Sequence, residues 1–280
     1  MMKSAHLMIG AAIALSLVSH AASSAGSAEA PIFSPDGATA WVPDRIAGDD
    51  FLSPDSGPGP VVSQKDHPYV PNNVGQSTYR VAELNNPILK PQAIESMRKA
   101  NEAVLAGKIP FTSRERCWPG GVPDFDIYER DRPMFFVQTP KEVLMIEEHD
   151  QQVRHFYLNA PHSAHPKPSW YGESIAHYEG DTLVVDTIGM NDRTFVDNYR
   201  TPHTTALHVI ERFHLVDGGK TLQVDIRVED PGMFNMPWYA KQRWSRRPER
   251  PLTELVCAEQ PVEYFNLGLV PVPSAKNPDF

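Results

Sequence analysis

The chain has 280 residues, 27 of them proline and 17 glycine, and a formal net charge of −9. Proline at nearly twice its usual share of about 5% excludes a helical bundle, because a proline inside a helix costs roughly 3 kcal/mol. The acidic balance argues against nucleic acid as a partner, since backbone binding needs an excess of Lys and Arg, and the 41% apolar share fits a globular chain.

Lys3 precedes a short apolar run from Leu7 to Val18, and small residues from Ala21 to Ala30 follow. A positive start, a short apolar stretch and a small-residue zone predict a signal peptide over residues 1–25. The run is shorter than the roughly 20 residues a bilayer span needs. The expectation is therefore a periplasmic or secreted protein with no membrane span in its mature chain. Export makes the cysteines informative. Cys117 and Cys257 are the only two, and an oxidising compartment predicts one disulfide between them. Two buried free thiols are the alternative.

Residues 26–90 read as a Pro/Gly-rich N-terminal arm. Phe33, Trp41, Val42, Phe51 and Tyr69 suggest that it packs on a body; a linker is the other reading. Residues 91–280 form the main domain. It opens with a helix over 91–106, started by Pro91 and stopped by Gly107, with Ile94, Met97, Val104 and Leu105 on one face. This helix is expected against the outside of a sheet.

Strands are predicted at Met134–Gln138, Val143–His149, Val153–Leu158, Trp170–Tyr178, Thr182–Ile188, Ala206–Val216, Thr221–Glu229, Trp238–Arg246 and Leu252–Glu259. In Thr221–Glu229, Leu222, Val224, Ile226 and Val228 alternate with polar residues, the mark of one buried and one solvated face. The fold class is mainly β: an antiparallel up-and-down, lipocalin-like barrel of about eight to ten strands, with one short helix and the Pro-rich arm. Barrels of this size can enclose one small ligand.

Polar residues in these strands suggest a polar-lined lumen, with solvent-facing ion pairs as the alternative. Glu173 and His177 share a parity, and Glu147 and His149 another. His208 lies in the strand after His203, and Asp186 lies in Thr182–Ile188. Catalytic candidates are His203, His208 and Asp186, with Glu211 orienting a histidine. Asn191, Arg193, Glu173, His162, Trp170 and His177 are candidates for holding substrate. A divalent metal on His162, His165, His203 and His208 is an alternative without a diagnostic ligand spacing. Gly172-Glu173-Ser174-Ile175-Ala176 is a poor nucleophile elbow, because strand propensity runs straight through Ser174.

Several of these residues fall in motifs that occur together. Arg116-Cys117-Trp118-Pro119-Gly120-Gly121-Val122-Pro123, Val137-Gln138-Thr139-Pro140, Glu179-Gly180-Asp181-Thr182-Leu183-Val184-Val185-Asp186-Thr187, Asn191-Asp192-Arg193-Thr194, Pro202-His203 and Leu207-His208-Val209-Ile210-Glu211-Arg212-Phe213 follow in that order. In them the chain resembles a large family of exported bacterial proteins, frequent in proteobacteria and acidobacteria, over about residues 85–262. The resemblance implies that the helix and the strands are one domain; it carries over no catalytic role. One departure is visible. Asn159-Ala160-Pro161-His162 stands where relatives read like Asp-Gly-Arg-Pro-His-Pro, which implies a different substrate if that arginine binds substrate in them.

The first functional expectation is an exported, cofactor-free lyase or isomerase. It would use general acid/base chemistry on a small, partly apolar, aromatic or terpenoid-like catabolite. The alternatives are a non-catalytic lipocalin-like carrier, a metal-dependent hydrolase, and a structural protein docking through its arm. The sequence leaves the oligomeric state open.

Overall fold

The computed structural model describes residues 30–37, 39–43, 50–69, 80–108, 111–113, 117–127, 133–148 and 152–257. The expected signal segment, His149 and the end of the last expected strand lie outside them. Nine strands close into a barrel. They are β1 (Ala40–Pro43), β2 (Met134–Gln138), β3 (Glu142–Glu147), β4 (Gln152–Leu158), β5 (Glu173–Glu179), β6 (Thr182–Ile188), β7 (His208–Val216), β8 (Thr221–Glu229) and β9 (Trp238–Arg247).

Two pairings decide the architecture. β1, from the arm, lies antiparallel between β2 and β9 and closes the ring. Its Trp41 is buried and donates its indole N–H to the Phe33 carbonyl at 3.0 Å. The arm therefore supplies a strand of the barrel as well as packing on it. The ninth strand expected from Leu252 is not formed over its described residues, Leu252 to Cys257; β1 already pairs the edge of β9 that it would have needed. Second, β4 and β5 run parallel. Residues 159–172 cross from the end of β4 back to the start of β5, which suits the dozen or more residues that a parallel connection requires. The barrel is thus mixed, with one parallel pair among antiparallel ones.

Alternation assigns the faces. In β8, Leu222, Val224, Ile226 and Val228 are buried inside, and Gln223, Asp225, Arg227 and Glu229 point out. The interior is packed with rings: Phe213 lies 6.0 Å from both Phe136 and Phe156 and 6.5 Å from Trp244.

The two barrel ends differ. At one end short turns join β2–β3, β5–β6 and β7–β8. The β7–β8 turn holds Asp217, Gly218 and Gly219 at φ 53°, 66° and 82°, backbone that glycine adopts at little cost. The other end carries the longer connections 189–207 and 230–237, from β6 to β7 and from β8 to β9. Gly172, at φ 66°, belongs to it: a Cβ there would lie 2.3 Å from the Ile188 carbonyl oxygen. This bend delays the expected strand from Trp170 to Glu173.

Helix α1 (Pro91–Leu105) lies between β1 and β2 in the chain. Its buried residues are Ala93, Met97 and Asn101; of the expected face Met97 is buried, Ile94 and Val104 are half-buried, and Leu105 is exposed. The Asn101 side chain explains this. It accepts from Ala82 N at 2.8 Å and donates to Ala82 O at 2.9 Å, fastening the helix to the arm rather than to a sheet. Cys117 and Cys257 form the expected disulfide, with Cα atoms 5.6 Å apart. Among the described residues no helix is long and apolar enough to cross a membrane.

Candidate functional site

Strand register builds a row of ionisable groups on the outside of the barrel. Asp186 sits opposite Ile175 of β5 and Ile210 of β7. Because Val185, Thr187, Val209 and Glu211 point inward, Asp186 and His208 point outward. Glu229 of β8 lies directly opposite His208. The crossover brings His162 onto the same face.

The result is a continuous chain of contacts. His208 bonds Asp186 Oδ1 through Nε2 and Glu229 Oε1 through Nδ1, both at 2.9 Å. His162 meets the same Asp186 Oδ1 through Nε2 and Glu173 Oε1 through Nδ1, both at 3.1 Å. Arg227 holds Glu229 with two bonds, of 3.0 and 2.8 Å. Ser163 donates its backbone N–H to Glu173 at 2.6 Å, and its hydroxyl bonds the same carboxylate. His162, Glu173, Asp186, His208, Arg227 and Glu229 are half-buried, and Ser163 is exposed.

The electrostatics follow from these bonds. The bond to Asp186 raises the His208 pKa against burial, and the Glu229 bond adds to it. Asp186 is held below the usual carboxylate range, by His208 first and His162 second. Ser163 holds Glu173 down. Burial pushes Glu229 up, but Arg227 and His208 outweigh it. A carboxylate on each ring nitrogen favours the charged form of His208, and His208 in turn favours the ionised form of Asp186.

Other expected residues sit elsewhere. His203 is buried, donating Nδ1–H to the Thr204 carbonyl at 3.0 Å and accepting the Thr194 hydroxyl on Nε2 at 2.8 Å. Burial lowers its pKa. It braces a loop and does not join His208. Glu211 orients no histidine, because it points into the barrel, where Arg154 donates two bonds to it at 2.7 and 2.6 Å. The carboxylate on the far ring nitrogen of His208 is Glu229. His177 is exposed and bonds Glu179 next to the β5–β6 turn, at the short-turn end. His165 is exposed on the crossover. Of the four histidines considered for a metal, His162 and His208 meet at Asp186, while His203 is buried in its loop and His165 is exposed. Among the described residues no set of three or more His, Cys, Asp or Glu is arranged to hold one.

At the long-loop end, Asn191 accepts the Arg193 backbone N–H at 3.0 Å, and Arg193 is exposed. Trp170 lies 5.3 Å from Trp118, which lies 5.4 Å from Phe111. Beside them a small cleft is lined by Thr112, Ser113, Asp124, Phe195, Asp197, Asn198 and Arg200. Burial raises Asp197 to about 6 although three donors hold its carboxylate.

Sequence reasoning did not single out Arg154, Asp126, Glu229, Arg227 or the cleft. Arg154 had a signal, for it shares its parity with the inward Phe156. Asp126 had none, because its burial comes from a short 3₁₀ turn (Asp124–Asp126) packed against Arg154 and Glu211. No protein-family model, curated protein or solved structure matches the chain.

Proposed function

We propose that this protein is an exported enzyme that moves protons on a small organic substrate without a redox step, as a lyase or isomerase does. The observation that supports it is the His208–Asp186 contact at 2.9 Å, with Glu229 on the other ring nitrogen. A half-buried imidazolium beside an ionised carboxylate is an acid and a base within reach of one substrate. His208 donates; Asp186, once a substrate separates it from His208, accepts. Glu229 holds the ring orientation and Arg227 holds Glu229. Asn191 and Arg193 lie on the loop that follows β6, where they can receive a substrate oxygen. Export belongs to the same reading, since an oxidising compartment preserves the Cys117–Cys257 disulfide.

The test is deuterium wash-in, followed by NMR, at carbon acids in a panel of aryl ketones, hydroxy ketones and aldoses. Wild-type protein is expected to accelerate exchange in at least one class. His208→Ala is expected to lower that rate about 100-fold, within the usual range for general acid/base groups. Exchange no faster with wild type than with His208→Ala across the panel overturns the reading and leaves a carrier without turnover.

A further inference from the structure

We propose that residues 160–168 of the crossover are a strap that opens and closes over Asp186, with His162 as its latch. The segment is held at its two ends. Asn159 N donates to the Ala176 carbonyl at 2.7 Å, and Ser169 N donates to that of Gly189 at 3.1 Å. Asn191 N returns a bond to the Ser169 carbonyl at 2.8 Å. Asn159 at φ 55° and Gly172 at φ 66° turn the chain at either end. Between them, residues 160–168 make no backbone–backbone hydrogen bond to another described residue. Pro161, Pro166 and Pro168 have no N–H to give, and Ser163, Ala164, His165 and Lys167 are exposed. A stretch with few backbone bonds and few buried contacts is where local opening costs least.

Contact with the outer row holds the strap down. His162 reaches Glu173 of β5 and Asp186 of β6, and Ser163 reaches Glu173 through its backbone N–H and its hydroxyl. Pro166 rests on Gly189, where a Cβ would lie 3.0 Å from the proline Cβ. His162 and His208 both bond the Oδ1 atom of Asp186. A carboxylate oxygen has two lone pairs, so the closed strap leaves Oδ1 no place for a substrate proton. The two rings are not equally held. His208 stands on β7, between β6 and β8, with Glu229 on its other nitrogen. His162 stands on the strap, and its departure disturbs no strand pairing.

Closure therefore inhibits the row, and opening arms it. When His162 leaves, one lone pair of Oδ1 is exposed, and one of the two rings that hold the Asp186 pKa down is gone. The open form thus offers the stronger base. The prolines limit the shapes the strap can take, so it moves as a flap about Asn159 and Gly172 rather than as a loose coil. A substrate enters under the flap and then comes between Asp186 and His208; the flap closing behind it excludes water. The inference rests on the acid/base reading for what the strap regulates, whereas its opening is measured without a substrate.

The experiment uses the full mature protein with its disulfide intact. Amide hydrogen exchange followed by NMR reads the Ser163 N–H, which the closed strap ties to Glu173. In wild type this amide is expected to exchange faster than the amides of β6 and β7, at a rate that low urea leaves unchanged, the mark of local opening. His162→Gln is expected to speed Ser163 exchange about tenfold, as loss of bonds to charged groups does. The amides of β6 and β7 should exchange as in wild type. In the deuterium wash-in assay His162→Gln is expected to raise the rate roughly twofold or more, because more of the protein is open, where His208→Ala lowers it. Ser163 exchange as slow and as urea-dependent in wild type as that of the strands overturns the proposal. So does unchanged Ser163 exchange in His162→Gln, or a wash-in rate that falls in the folded variant. Local opening at Ser163 without wash-in by wild type overturns only the acid/base reading.

Discussion

Arg154 and Glu211 face each other inside the barrel with two hydrogen bonds, and neither side chain reaches solvent. The guanidinium also lies 4.9 Å from the Phe156 ring and 5.4 Å from that of Phe125. Such a pair is costly to bury and costlier to break. Glu211→Gln leaves the guanidinium without its counter-charge and is expected to cost about 3–5 kcal/mol. The double replacement Arg154→Met/Glu211→Leu is expected to cost less than the two single changes added together. Urea unfolding of the three variants measures this double-mutant cycle; additive losses would contradict the pairing.

Asp126 completes the cluster and puts two carboxyl groups beside one guanidinium. Burial first, and the nearness of Glu211 second, push its pKa well above the ordinary range, with Arg154 opposing. A carboxyl raised in the folded state contributes stability that is complete below its unfolded value of about 4 and is lost as pH rises through the folded value. Wild-type stability is therefore expected to fall toward alkaline pH, and Asp126→Asn to flatten that fall. Parallel pH profiles of chemical unfolding for the two proteins would refute the assignment.

The outer row has the opposite acid limb. The raised His208 contributes stability in full below about 6.5, lost as pH rises through its folded value. Asp186 contributes above about 4, lost as pH falls through its depressed folded value. The pair therefore contributes in full between about 4 and about 6.5 and weakens on either side. His208→Gln is expected to remove its alkaline limb, by no more than about 1 kcal/mol because water and salt screen half-exposed groups. Melting temperature against pH at two ionic strengths checks it, the difference shrinking as salt increases.

Gly121 combines a φ of 84° with a Thr194 hydroxyl that would lie 2.5 Å from a Cβ. That hydroxyl is the partner of His203. Gly121→Ala is expected to cost about 1–3 kcal/mol through backbone strain and the displaced threonine. It should also move the His203 imidazole resonances in an NMR spectrum, which strain confined to residue 121 would leave in place.

The disulfide closes a separation of 140 residues. In the chain-entropy model its loss from Cys117→Ser/Cys257→Ser costs about 4–5 kcal/mol. Denaturant unfolding of oxidised wild type against the double variant measures it. The chain at Trp118 should loosen as well, seen as a red-shifted tryptophan emission before global unfolding begins.

Period-two alternation made β8 and β9 readable, because each strand has one face in the core and one in water. The same alternation shows which side of β6 and β7 carries Asp186 and His208, but not that this side is the outside. Both faces of β7 hold charged residues, and only barrel closure decides that Glu211 is enclosed and His208 is not. β1 was unreadable for a different reason. Four residues in a proline-rich arm carry almost no periodic signal, and their strand state comes from the exposed edges of β2 and β9. Helix α1 was readable as a helix, but its buried face turned on Asn101, whose backbone partner at Ala82 is contributed by the arm.

The sequence by itself determined the mainly β class, the helix, the hairpins and the pairing of the two cysteines. These follow from short-range periodicity, from turn residues and from there being two cysteines to pair. Tertiary structure alone decided that the arm closes the barrel, that β4 and β5 run parallel, that His203 stands apart from His208, and that His162, Asp186, His208 and Glu229 form one row. Those relationships join residues far apart in the chain. Their energies depend on burial and on hydrogen-bond distance, which exist only once the ring of strands has closed.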